Sequence, residues 1–282
     1  MNDSINADIK QNGRYLLFLD ILGFKEMVAK RSAAEVFGVI DDALKSFLNW
    51  EHLNGEFKTI YFSDTFLFYQ EHKGYGAWAF LDIYAVAGML LSALLAKGIP
   101  ARGTISFGEF EVQIDSSNRH QIYSGKAFIE AYEAEQKENW VGVTILPSAW
   151  QIWNDERELM KAFESEGVWM CRHDKVLLLM PLIKLRSCYW SSLSGEVEDS
   201  DLAGGSVALN NDIRAFDFLR KTARAFRSEG DFSSKLATKY HATMLFLADV
   251  MKDDFFMWVN MICDKELGAL NNHLSASPSG ER

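Results

Sequence analysis

Short apolar runs and longer helical-period stretches alternate along the 282-residue chain. "YLLFLD", Tyr15 to Asp20, is a brief apolar run bounded by polar residues, which predicts a buried strand over 15–20. "FKEMVAKRSAAEVFGVIDDALKSFLNWE" carries Met27, Val28, Val36, Phe37, Ile40, Leu44, Phe47 and Leu48 near the 3.6 period and predicts one or two helices. "EFKTIYFSDTFLFYQE" is β-branched and aromatic but broken by Ser-Asp, the pattern of a hairpin with Asp64 at or near its turn. A long helix from about Tyr75 to Lys97 stops at "KGIP", where Gly98 and Pro100 are a C-terminal signal. "ARGTISFGEFEVQID" reads as a strand that turns around Gly108. "SGKAFIEAYEAEQKEN" reads as a helix beginning after Ser124 and Gly125. "WVGVTILP" is a strand, "PSAWQIWNDERELMKAFESEG" a helix and "KVLLLMPLIKL" a further strand. Residues 195–205, rich in glycine and acids, read as a loop, and Leu209 to about Leu270 as helix. No internal repeat is present.

Alternation of this kind places helices on a sheet, and the early hairpin excludes an all-parallel, doubly wound arrangement. The expected class is α+β, a ferredoxin-like βαββαβ core with extra strands and C-terminal helices. The expected organisation is one domain over 14–195, a helical extension over 205–272 packed on it, and flexible polar tails over 1–13 and 273–282.

Composition narrows the function. The hydrophobic content of 48% and aromatic content of 13% suffice for a sizeable core. A net charge of −10 argues against non-specific nucleic-acid binding, which depends on basic patches. It leaves room for a nucleotide substrate whose phosphates are met by metal ions. Cys171, Cys188 and Cys263 are scattered with no CxxC, the usage of a reducing cytosol. The first residues lack the apolar region of a signal peptide. The most apolar stretch carries Asp82 and ends at Lys97, so it reads as a core helix rather than a membrane span. A cytoplasmic protein without direct membrane insertion is expected. His72, His120, His173 and His241 lack metal-ligand spacing, no G-x-S-x-G occurs, and "GFKEMVAKR" lacks the glycines of a P-loop. Asp20 has no second acid two residues on, which weakens a haloacid-dehalogenase reading. Lys184 and Arg186 read as a solvated strand end.

Asp20 is the residue that needs explaining, because an unpartnered carboxylate at the end of a buried strand costs several kcal/mol or takes up a proton. Either it caps the next helix, as Asp64 would serve its turn, or it awaits a cation. In a βαββ arrangement the end of the first strand and the hairpin turn can be neighbours. Two carboxylates there repel unless divalent cations lie between them, and hard cations such as Mg²⁺ take one or two carboxylates and complete their shell with phosphate and water.

Three motifs in order, "FLDILGF" (18–24), "YFSDTF" (61–66) and "KGIPARGTISFGE" (97–109), resemble the class III nucleotidyl cyclase catalytic domain over residues 14–150. The chain beyond about 195 has no counterpart in that likeness. The resemblance implies catalysis by Asp20 and Asp64, with Asp20, Asp64 and the Ile21 carbonyl holding two Mg²⁺ or Mn²⁺ ions. It implies phosphate contacts from the backbone of Gly23 and Phe24, and an active site between the protomers of a homodimer. Ile60 stands where purine cyclases carry a polar base reader, and Ile122 takes the second such position. Ile129 and Glu133 fall where the family offers Asn and Arg to the transition state. The pattern is most similar to the pyrimidine cyclases of Pycsar anti-phage defence systems, whose cyclic nucleotide acts on a separate effector. Uridine triphosphate is then the favoured substrate, with Ile60, Phe62 and Arg102 as substrate contacts. Arg102 reads alternatively as a surface or dimer salt bridge, and Tyr61 and Phe62 as ordinary sheet packing. Cytidylate or purine cyclisation, or a degenerate nucleotide-binding module, are the alternatives.

Overall fold

The computed structural model describes residues 12–48, 57–70, 77–114, 121–149, 199–231 and 234–251. The elements in chain order begin with β1 (Arg14–Ile21), α1 (Phe24–Lys30), α2 (Ala33–Leu48) and the hairpin β2 (Phe57–Phe62) and β3 (Thr65–Gln70). Then come α3 (Ala77–Ala96), β4 (Ala101–Gly108), β5 (Glu111–Ile114), β6 (Gln121–Ser124), α4 (Lys126–Glu135) and β7 (Gly142–Ile145). The last two helices are α5 (Asp199–Ser228) and α6 (Lys235–Met251).

Five strands form one sheet in the order β2-β3-β1-β4-β7. β1 lies antiparallel to both β3 and β4, and β2 antiparallel to β3. That is the βαββαβ ferredoxin-like arrangement expected from the sequence, extended by β7, which runs parallel to β4. The protein is α+β. β5 and β6 form a separate two-stranded ribbon.

The expected run of one or two helices after β1 resolves into two because Ser32 starts a capping box. The Ser32 hydroxyl accepts the Glu35 N–H (3.3 Å), while the Glu35 carboxylate accepts the Ser32 N–H (2.8 Å). α3 ends where expected. There the Gly98 N–H donates to the Leu95 carbonyl (2.9 Å) and the Ile99 N–H to the Leu94 carbonyl (2.9 Å).

Strand alternation separates two apolar layers. Tyr15, Leu17, Leu19 and Ile21 face a large core shared with α2, α3, α5 and α6. Leu16 and Phe18 face the opposite side, under Ala127 and Ala131 of α4. The C-terminal helices thus share the core of the sheet: Ala215, Phe216 and Leu219 of α5 and Tyr240 and Leu247 of α6 are buried in it.

The loop expected over 195–205 is corrected from its fifth residue on, since α5 begins at Asp199. The helix carries Gly204 and Gly205 in its interior despite their low propensity. The boundary expected at 205 falls inside α5. The β6 strand was not expected. The helix over 147–167, the strand over 175–185, Lys184, Arg186, the three cysteines, His72, His120, His173 and the helix and tail after 251 lie outside the described residues, apart from the first residues of that helix.

β4 approaches β1 closely at Gly103, where a Cβ would lie 2.3 Å from the Phe18 carbonyl oxygen. Gly103→Ala is therefore expected to cost on the order of 3 kcal/mol by displacing β4. Gly38, in α2 with open space around it, is the opposite case. Gly38→Ala is expected to add about 0.5–1 kcal/mol through helix propensity. Chemical denaturation of both variants measures the two signs.

Candidate active site

The strand register assembles a row of side chains at one end of the sheet. Phe62 pairs with Thr65, Thr65 with Asp20, Asp20 with Arg102, and Arg102 with Gly142. The next row inward is Ile60, Leu67, Phe18, Thr104 and Thr144. Both rows lie on the side covered by α4. The turn Ser63-Asp64 joins β2 to β3 beside the first row. The Asp64 carbonyl accepts the Ile21 N–H at 2.8 Å, which ties the hairpin tip to the end of β1. Ser63 in that turn has φ 59, the single non-glycine residue with positive φ among the described residues. A short polar residue tolerates that conformation, and the strain it stores sits next to Asp64.

α4 is laid along β4 by three polar side chains. The Ser106 hydroxyl donates to the Ala127 carbonyl (2.8 Å) and the Thr104 hydroxyl to the Ala131 carbonyl (2.9 Å). The third rung is an ion pair from Arg102 Nε to the Glu135 carboxylate. Each step of two along the strand, about 6.6 Å, matches a step of four along the helix, about 6 Å. Alanines at 127 and 131 leave the helix backbone near enough for the hydroxyls to reach its carbonyls. The third rung delivers Glu135, 3% exposed, to the end of the sheet where Asp20 stands.

Arg102 also donates through Nη1 to the Glu138 carbonyl (3.0 Å). Lys239 of α6 donates through Nζ to the same oxygen (2.8 Å). Thr243, one turn further along α6, accepts the Val141 N–H (2.8 Å) and donates to the Lys239 carbonyl (2.9 Å). α6 thereby holds the segment that leads into β7.

The result is a half-buried group of charges. Burial first, and then the negative charges of Glu135 and Asp64, push the Asp20 carboxyl up to about 7, with Arg102 and Lys239 opposing the shift without cancelling it. Burial also raises Glu135, against the pull of Arg102. Burial and the neighbouring Arg102 bring Lys239 down to about 8. A carboxylate this reluctant to ionise next to a second carboxylate is a favourable site for a hard divalent cation, which supplies the missing positive charge. The donor set of Asp20, Asp64 and nearby backbone oxygen suits Mg²⁺ or Mn²⁺. Among the described residues no cluster of three or more His, Cys, Asp or Glu side chains is placed to cage a metal ion. Water and substrate oxygens are left to fill such a shell.

The structure brings Asp20, Asp64, Phe62 and Arg102 to the same end of the sheet. Phe62 is exposed. Ile60 lies one row in and packs with Phe128 against the α4-side layer. Tyr61 points to the other side of the sheet, stacked on Phe66 at 4.6 Å between ring centroids. The Arg102 guanidinium is engaged within the chain, by Glu135 and the Glu138 carbonyl. Gly23 opens α1, a helix of 7 residues, with φ 73, and Phe24 packs against the large core. Ile122 lies exposed on β6, and Ile129 and Glu133 lie on the exposed side of α4.

Sequence reasoning missed Glu135, Glu138 and Lys239. For Glu135 a signal existed: Ala127, Ala131 and Glu135, spaced four apart, form a stripe of two small residues ending in an acid on the helix face that meets the sheet. Nothing in the sequence of α6 singles out Lys239, whose contact on Glu138 is 101 residues away.

No protein-family model matches the chain, and no curated protein is significantly similar to it. Solved structures similar to it include three cyclase domains. The guanylyl cyclase domain of the RhoGC fusion protein from Blastocladiella emersonii is 15% identical, with 51% of this chain and 84% of that chain covered and a TM-score of 0.42. The adenylyl cyclase CyaB from P. aeruginosa is 17% identical, with 51% and 82% covered and a TM-score of 0.41. The guanylate cyclase domain of RhGC from Catenaria anguillulae, in complex with GTP, is 16% identical, with 51% and 82% covered and a TM-score of 0.42. At these values the likeness assigns no activity to this chain. Among the described residues no helix is long and apolar enough to cross a membrane.

The raised Asp20 carboxyl makes a directional prediction about stability. Its pKa is about 7 in the folded protein against 3.8 for the free group, so between about pH 4 and 7 the unfolded chain gives up the proton first. The folded state loses stability across that window as pH rises, and the penalty is complete above it. Lys239, held near 8, adds a penalty that is constant below about pH 8 and is relieved only above it, so it does not alter the trend in this window. Asp20→Asn in metal-free buffer is expected to raise the melting temperature at pH 8 and to leave it nearly unchanged at pH 4. Thermal melts of wild type and variant at both values test it.

Proposed function

We propose that the chain is a nucleotidyl cyclase that converts UTP to 3′,5′-cyclic UMP and pyrophosphate at the Asp20–Asp64 site. The observation that carries the reading is the pairing of these two carboxylates. One closes β1, the other sits in the β2–β3 turn, their backbones are linked at the Ile21 N–H, and Asp20 is raised by its surroundings. When bound there, two Mg²⁺ or Mn²⁺ ions would lower the pKa of the ribose 3′-hydroxyl and neutralise the triphosphate.

In the reaction, the 3′-oxygen gives its proton to water and bonds to the α-phosphorus. The bond from that phosphorus to the β-phosphate bridging oxygen breaks, and pyrophosphate leaves with the electron pair. Asp20 and Asp64 would hold the ions, assisted by the Ile21 carbonyl, and the Gly23 and Phe24 amides would meet the phosphates. Ile60 and Phe62 lie along the base side of the site and offer no hydrogen bond to a purine edge, which supports a pyrimidine base by size rather than by polar readout. Arg102 stands in the same row as a substrate contact. The protein acts as a homodimer. Its product would signal to a separate cyclic-nucleotide-responsive effector in defence against phage, in line with the sequence resemblance.

A nucleotide-binding module of the same fold is the second reading, favoured by Ile129 and Glu133 on the outer side of α4.

Incubation with each of the four ribonucleoside triphosphates and Mn²⁺ separates these readings. Cyclic UMP and pyrophosphate from UTP are expected, in preference to the products of CTP, ATP and GTP. Strong preference for ATP or GTP would overturn the pyrimidine assignment. Metal-dependent nucleotide binding without pyrophosphate release would establish the module. Asp64→Ala is expected to lower turnover on the order of 10³-fold, since metal stabilisation of the transferring phosphate is worth several kcal/mol. Unchanged turnover would remove the metal role.

A further inference from the structure

Asp20 and Arg102 are directly opposed across β1 and β4, on the same side of the sheet. Opposite charges in that relation ordinarily pair. Here they do not. Arg102 turns its Nε to Glu135 and its Nη1 to the Glu138 carbonyl at 3.0 Å. Glu135 is well placed to take it, because the Ser106 and Thr104 rungs fix α4 so that its next inward residue meets Arg102. The Glu138 carbonyl is itself held, by Lys239 at 2.8 Å, and the adjoining Val141 is held by Thr243. The arginine is therefore parked by two acceptors, each fixed by a different helix.

We propose that Glu135 is a positioning residue for divalent-cation loading: by keeping Arg102 off its cross-strand neighbour Asp20, it leaves the Asp20–Asp64 pair open to a hard divalent cation. Lys239 supports it by anchoring the second acceptor of Arg102. The inference rests on the metal-carboxylate reading of the site given above. Were the guanidinium free to swing onto Asp20, it would occupy the same oxygens a cation needs and would have to be displaced on binding.

The test is Mn²⁺ affinity of the full chain without nucleotide, read by electron paramagnetic resonance, with far-UV circular dichroism to confirm folding. Glu135→Gln is expected to weaken Mn²⁺ binding by about tenfold or more, the equivalent of about 1.4 kcal/mol. Arg102→Gln is expected to bind Mn²⁺ as well as wild type or better. The double variant should behave as Arg102→Gln, because the competitor is gone. A Glu135→Gln loss that persists in the Arg102→Gln background would mean that Glu135 acts by its charge alone and would overturn the proposal, as would unchanged binding in the single variant. Lys239→Met gives an independent sign. Loss of a nearby positive charge by itself strengthens cation binding, whereas release of Arg102 weakens it. Weaker binding is expected, and stronger binding would overturn the role of Lys239. Should Glu135→Gln fail to fold, Lys239→Met, alone and combined with Arg102→Gln, decides the matter by the same comparison. Wild type that binds no Mn²⁺ would sink the metal reading together with this one. Wild type that binds, with variants that do not differ, would sink this one alone.

Discussion

Asp20 places an ionisable carboxyl at the end of a buried strand, and the arginine across from it is engaged elsewhere. The organisation of the site follows from that one withheld ion pair. A carboxylate matched to its neighbouring arginine would be an ordinary structural salt bridge with a depressed pKa. With the arginine drawn aside, burial and two further carboxylates dominate, and the group is left near pKa 7. Such an arrangement is costly for a protein without a ligand and favourable for one that takes up a cation. On the metal reading proposed above, the polar pairing around Asp20 favours binding at the expense of stability.

The geometry that permits this is a commensurate match between a strand and a helix. Two residues of β4 advance almost as far as four residues of α4, so Ser106, Thr104 and Arg102 meet Ala127, Ala131 and Glu135 in turn. The first two rungs are hydroxyl-to-carbonyl bonds in a buried layer, where polar groups must find partners. They set the height of the helix over the sheet. The third is electrostatic and lies at the mouth of the site. A fault in the inner rungs would propagate to the outer one, since the position of Glu135 is fixed by the same register.

What could be read from the sequence was what depends on near neighbours. The proximity of Asp20 and Asp64 is legible because a strand end and a two-residue turn are local features and the βαββ order brings them together; the catalytic role given them is what the motif resemblance implies. The split between α1 and α2 was open although its cause, the Ser32–Glu35 capping box, is local. The first turns of α5 read as a loop because Gly204 and Gly205 lower helix propensity, and the acids at the helix start looked like loop residues. Glu135 was overlooked because a glutamate on an amphipathic helix is usually solvated. Lys239 was overlooked because its buried environment is created by a segment far away in sequence, and no local pattern records such a contact. The sequence offers Arg102 as a substrate contact or as a surface or dimer salt bridge; the structure instead pairs it within the chain, with the buried Glu135, in the row that includes Asp20.

The long separation between α6 and the segment it holds has a further consequence, for how the molecule is made. Thr243 follows its partner Val141 by 102 residues, and Lys239 follows Glu138 by 101. A chain emerging from the ribosome can pair β1, β3 and β4 and lay α4 on them long before α6 exists. The arginine's second anchor is unsupported throughout that interval. The charge arrangement described here is completed only when nearly all of the described chain has been synthesised, so a prematurely terminated product would lack the lysine that holds the Glu138 carbonyl.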